Sequence, residues 1–139
     1  MCLVKTQPFS TYQKIRNFFV PELGWKIALL DNNQLRSFYN YGNPQRKFNK
    51  YQKSSNKFDN YVKYKVGFHI FPNQQDAINW FEKTGKKYLD ILKHYQNYNA
   101  TPILVQVKYK RKHLHGLEDS TTVIVAHKIK FLKHTLVQL

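Results

Sequence analysis

Apolar residues recur along this chain at two periods, and each period marks a different kind of element. In the last third, Ile103, Val105, Val107 and Tyr109 alternate with Leu104, Gln106, Lys108 and Lys110. That two-residue period belongs to a strand with one buried face. Val123, Val125, His127, Ile129 and Phe131 alternate in the same way with Ile124, Ala126, Lys128 and Lys130. The two runs predict an antiparallel hairpin whose connection is residues 112–120, containing Gly116. Lys108, Lys110, Lys128 and Lys130 then share the face opposite the apolar one. Earlier in the chain, Trp25 to Leu30 reads as a strand, and Asp31-Asn32-Asn33 has turn chemistry because Asx side chains bond local backbone and tolerate left-handed geometry. Gln34 to Tyr39 returns as the partner strand. Gly67 to Phe71 is a short strand stopped by Pro72.

The 3.6-residue period appears twice. Ser10 to Phe19 predicts a short helix with Ser10 as N-cap and Ile15, Phe18 and Phe19 on one side, ended by Pro21 and Gly24. Asn73, followed by Asp76, is a loose capping box opening a helix over Gln74 to Lys83 that turns Ala77, Ile78, Trp80 and Phe81 inward. Gly85 is placed to close it in a left-handed cap. Tyr88, Leu89, Ile91, Leu92 and Tyr95 extend helical spacing to about His94. The resulting fold class is α+β: a mostly antiparallel sheet with one or two helices packed on one face, in a single domain spanning 1–139. Only from about 40 to 65 does periodicity dissolve, into a loop of Asn, Lys, Ser, Gln and spaced aromatics.

Charge changes the picture. Lys and Arg number 23 against 8 Asp and Glu, a formal charge of +15 on 139 residues, and ten Phe, ten Tyr and two Trp are interleaved with them. A field of one sign on so small a body attracts polyanions. Only four of the cations are arginine (Arg16, Arg36, Arg46, Arg111). Lysine contacts phosphate as a point charge and lacks the planar fork that reads guanine edges, so binding is expected to be sequence-independent. The competing reading is compositional: an AT-rich genome over-supplies Lys, Asn, Tyr, Phe and Ile codons, although it does not explain the shortage of carboxylates. A hydrophobic share of 42% is enough for a core. No segment approaches the ~20 apolar residues of a membrane span, and the start of the chain has no apolar signal region. The lone cysteine, Cys2, points to a reducing compartment.

The candidate nucleic-acid-binding residues are Arg46, Lys47, Lys50 and Lys53 in the loop and Lys108, Lys110, Lys128 and Lys130 on the sheet, with Tyr51 and Tyr61 as stacking groups for exposed bases. Other chemistry is weaker. His113-Leu114-His115 followed by Glu118 has the outline of a metal site, but its spacing is short for the cupin motif. Pairing the strands about Leu117 places His127 opposite Val107, away from His113. The motif therefore reads as a polar hairpin loop, and no metal, cofactor or catalytic residue is assigned. A small histidine-dependent enzyme, such as a nuclease built on His69, His127 or the His113/His115 pair, is the alternative from another class. Cys2, once Met1 is removed, would be an amino-terminal nucleophile with no local base beside it, and reads better as a small apolar residue at a strand start.

Met1-Cys2-Leu3-Val4, Gly24-Trp25-Lys26-Ile27, Gly67-Phe68-His69-Ile70-Phe71 with Asp76-Ala77, Val105-Gln106-Val107-Lys108-Tyr109 and Val123-Ile124-Val125-Ala126-His127-Lys128-Ile129 follow in that order. The arrangement resembles a loosely defined group of small, uncharacterised proteins encoded by bacteriophages and giant DNA viruses. The Asn/Lys/Tyr segment around 40–65 departs from that group. The resemblance implies a viral protein acting in the host cytoplasm or the virion. Together with the charge it leads to a non-enzymatic basic protein that binds DNA or RNA through phosphates. The rival is a virion component or host-defence antagonist whose positive surface meets an acidic protein. No membrane partner is expected, and oligomeric state is not legible.

Overall fold

The computed structural model describes residues 3–38, 46–55, 57–61, 63–96 and 100–139. Its elements are, in order, β1 (Val4–Pro8), α1 (Thr11–Phe19), β2 (Glu22–Asp31), β3 (Gln34–Ser37), β4 (Tyr51–Lys53), β5 (Phe58–Asp59), β6 (Tyr64–Lys65) and β7 (Phe68–Ile70). Then come α2 (Gln74–Trp80), a π-helical turn (Phe81–Gly85), α3 (Lys86–Gln96), β8 (Thr101–Glu118), β9 (Thr121–Phe131) and β10 (Val137–Gln138). Cys2, the end of the predicted second strand at Tyr39, the first part of the predicted loop from 40 to 45 and the side chain of Tyr95 lie outside the described residues.

The β8–β9 hairpin is the frame. The sheet runs β3-β2-β8-β9-β4, with β1 and β10 also on β8 and β7 also on β9; β5 and β6 pair separately. Every strand pairing in the sheet is antiparallel. The sheet curls until its two sides meet: Trp25 and Phe71 exchange backbone hydrogen bonds of 2.7 and 2.8 Å. At that seam Gly24 is a mid-strand residue, not a helix stop. A Cβ there would fall 2.4 Å from Ile70 Cγ2 and 3.1 Å from the Phe71 carbonyl, so only glycine lets the strands approach.

The α+β reading holds, with α2 and α3 packed on the sheet. Ala77, Trp80, Phe81 and Leu89 from the helices join Ile27, Leu29, Leu104, Val123 and Val125 in one buried cluster; a second gathers Ile70, Val105, Val107, Tyr109, Ile129 and Phe131. Asn73 caps α2 by accepting from the N–H groups of Gln75 and Asp76. The predicted stop at Gly85 does not occur, since no glycine has positive φ. The helix instead continues through the π-turn into α3. Gly85 is needed for space, because a Cβ would lie 2.8 Å from Trp80 Cζ3.

The hairpin is longer than predicted. Residues 112–118 are strand, and the turn is Asp119-Ser120, both with positive φ, as are Asn32 and Asn33 between β2 and β3. Left-handed residue pairs of this kind match the strand twist. Gly116 is not a turn residue: β1 crosses it, and a Cβ there would lie 3.0 Å from Leu3 Cβ and from the Val4 carbonyl. What broke the alternation is a bulge between Lys112 and Leu114, preceded by Arg111 at φ 57°. Asn17 of α1, with no exposed surface, donates to the Tyr109 carbonyl (3.1 Å) and accepts from Lys112 N–H (2.8 Å). It thereby satisfies backbone groups of β8 between the end of its pairing with β2 at Tyr109 and its pairing with β1 at Leu114. α1 begins at the predicted Ser10 cap, with a full capping box, yet Ile15, Phe18 and Phe19 are exposed. No described helix is long and apolar enough to cross a membrane.

Candidate nucleic-acid interface

Side chains of directly paired residues in an antiparallel sheet lie on the same face. Lys108 pairs with Lys130 and Lys110 with Lys128 across β8–β9; Tyr51 pairs with Lys130 and Lys53 with Lys128 across β9–β4. Three strands therefore present two adjacent rows, Lys108–Lys130–Tyr51 and Lys110–Lys128–Lys53, on one face. Neighbouring strands are about 4.8 Å apart, so five ammonium stems stand within about 10 Å across the strands. Lys130, Lys128 and Lys110 place their ammonium groups 4.9, 5.2 and 5.5 Å from the centroid of the Tyr51 ring. The negative face of that ring is what holds three like charges together.

Electrostatics register the crowding. Lys128 is drawn below the usual lysine range, first by loss of hydration and then by Arg111, Lys53 and Lys110. Tyr51 is raised by desolvation. Among the described residues no carboxylate forms an ion pair with these five lysines; the ion pairs are Arg36–Asp31, Lys86–Glu82 and Lys112–Glu22. Among the described residues, lysine repulsion on this face thus has no carboxylate ion pair to offset it.

The other predicted residues are dispersed. Arg46 is half-buried and outside the two rows' strand pairings, its guanidinium 4.8 Å over the Phe68 ring and its Nε donating to Ser37 Oγ. Lys47 and Lys50 are exposed on a loop that Gln52 ties down, accepting from Lys47 N–H and donating to the carbonyls of Lys47 and Lys50. Tyr61 is 86% exposed next to the β5–β6 pair, its N–H on the Asp59 carboxylate. The gathering of three ammonium groups around the Tyr51 ring was not foreseen. The short β4, only three residues, carries no readable alternation.

The histidines fall differently from expectation. The bulge shifts the hairpin register, so Leu117 faces Thr122 and Val107 faces Phe131. His127 is not remote from His113: their rings stack at 4.2 Å, 7° from parallel. His113 Nε2 bonds to the Lys65 carbonyl and His127 Nδ1 to Ser54 Oγ. Burial lowers His113 to about 4, with His127 adding to the effect, and lowers His127 as well. His69 is held at about 3, by burial and then by Lys26, whose ammonium donates to the His69 carbonyl at 2.8 Å. His115 packs on the Phe9 ring instead. No group of three or more His, Cys, Asp or Glu among the described residues is arranged to hold a metal ion. Comparison with protein-family models, with curated proteins and with solved structures returns no significant match, so any functional reading rests on these side chains.

Proposed function

We propose that this is a virus-encoded, non-enzymatic protein that binds DNA or RNA through its phosphates, with little sequence preference, in the host cell or the virion. The observation that carries this reading is the register of three strands, which gathers Lys53, Lys108, Lys110, Lys128 and Lys130 on one face with no carboxylate ion pair among the described residues. A phosphate chain lying across them would relieve their repulsion and release its own counterions. Tyr51 then acts as the hub that spaces the cations. Tyr61, exposed nearby in sequence, is the ring open to stacking on a base. Lys47 and Lys50 extend the contact along the loop.

The test is a salt titration of oligonucleotide affinity. Binding by this face predicts that log K falls linearly with log salt, and that the slope shallows as lysines of the two rows are neutralised. Failure to bind any single- or double-stranded oligonucleotide at low salt would remove this reading and leave an acidic protein as the partner.

A further inference from the structure

A cavity of about 570 Å³ opens beside the lysine face, within the ~300–1,000 Å³ range of small-molecule sites. Its chemistry is layered. The more exposed wall carries Arg46, Lys53 and the hydroxyl of Ser54; Phe38, Tyr64, Phe71 and Trp80 are nearly buried. Glu118, 3% exposed, lines the same space, and its Oε1 has no hydrogen-bond partner among the described residues. A buried carboxyl oxygen without a partner is costly and calls for a donor. Desolvation pushes Glu118 up to about 7, against the pull of Lys26, which is itself lowered to about 8 by loss of hydration. The carboxyl is therefore able to offer an acceptor or a proton near neutrality. Asp59, also on the wall, accepts from the Tyr61 N–H.

We propose that this cavity binds a single nucleotide unit, with phosphate at the mouth against Arg46, Lys53 and Ser54 and the N–H edge of its base on the Glu118 carboxyl. Each alternative wastes part of the site. An apolar ligand leaves Glu118 unsatisfied, and inorganic phosphate brings no N–H edge to it. The proposal goes beyond the lysine face, with which the cavity shares Lys53. The unit is either a free mononucleotide or the terminal nucleotide of a strand, since both offer the same groups.

The experiment titrates the full chain with AMP, GMP, CMP and UMP, following tryptophan fluorescence and calorimetry, with ribose 5-phosphate and inorganic phosphate as controls. Saturable binding of at least one nucleotide is expected, about ten-fold or more tighter than either control. Glu118→Gln should weaken it about ten-fold, the effect of losing a charged hydrogen bond, and Arg46→Gln at the mouth provides a second variant. Lys128→Gln with Lys130→Gln should weaken mononucleotide binding less than Glu118→Gln does while flattening the oligonucleotide salt slope, which separates this site from the lysine face. Displacement by a 5′-phosphorylated trinucleotide assigns the site to a strand end; its absence assigns it to the free nucleotide, and both retain the proposal. No saturable nucleotide binding at millimolar concentration, or ribose 5-phosphate binding equally well, overturns it.

Discussion

Replacing Lys128 and Lys130 together by glutamine separates a binding surface from a structural one, because the two readings predict opposite signs. Glutamine keeps most of the stem and its strand position, and removes only charge. Five lysines occupy the two rows. If each neutralises one phosphate of a single strand, log K should fall against log salt with a slope of about −3.5; the double variant should show about −2.1. Raising salt from about 50 to 200 mM would then weaken the parent protein about 130-fold and the variant only about 20-fold. Both residues lie close to the Tyr51 ring with Lys110, so their removal relieves repulsion, and Tm should stay level or rise. Fluorescence anisotropy of a labelled oligonucleotide at several salt concentrations, beside thermal melts, reads both quantities. An unchanged slope would show that these lysines do not meet phosphate. A lower Tm accompanying lost binding would show that they hold the sheet together.

Glu118 is raised to about 7 from 4.5; a raised acid favours the fold below its unfolded value and loses that contribution as pH climbs through 7. Its penalty at pH 8 is about 3 kcal/mol at most, so Glu118→Gln should unfold in more urea than the parent at pH 8 and lose that advantage towards pH 5. The depressed histidines act with the other sign. His69 and His113 stay neutral in the fold to about 3 and 4, so their contribution is complete above 6.5 and is lost as pH falls below it; in the Glu118→Gln background stability should drop from pH 6.5 to 4. NMR titration showing both imidazoles already protonated at pH 6 would contradict this. Asn17→Ala strips β8 of both hydrogen bonds from this side chain and should cost about 2–3 kcal/mol in denaturant unfolding, with no loss expected if solvent replaced them. Gly85→Ala should destabilise by about 1–3 kcal/mol through overpacking on Trp80 and Phe81; a gain of the ~1 kcal/mol that alanine brings to a helix would mean the rings yield freely.

Local chemistry alone determined the parts of this protein built from neighbours in sequence. The Ser10 and Asn73 caps, the Asn32-Asn33 turn and the alternation that turns Lys108, Lys110, Lys128 and Lys130 to one side are all set by side chains acting within a few residues. Charge surplus was equally plain, since it needs only counting. Tertiary structure decided the rest, because it depends on what meets across the sheet. A lysine row becomes a surface only when β4 brings Tyr51 and Lys53 beside β9, and a three-residue strand has too little pattern to announce its partner. The backbone of β8 beside the bulge at Lys112–Leu114 is bonded by Asn17, far away in sequence, and the bulge, by shifting the register, stacked His113 on His127. Gly24, Gly85 and Gly116 resemble punctuation in a one-dimensional reading, whereas each marks a close approach by a distant residue. Glu118 shows the same limit: its sequence neighbours suggest a polar loop, and only the curling of the sheet removes it from water.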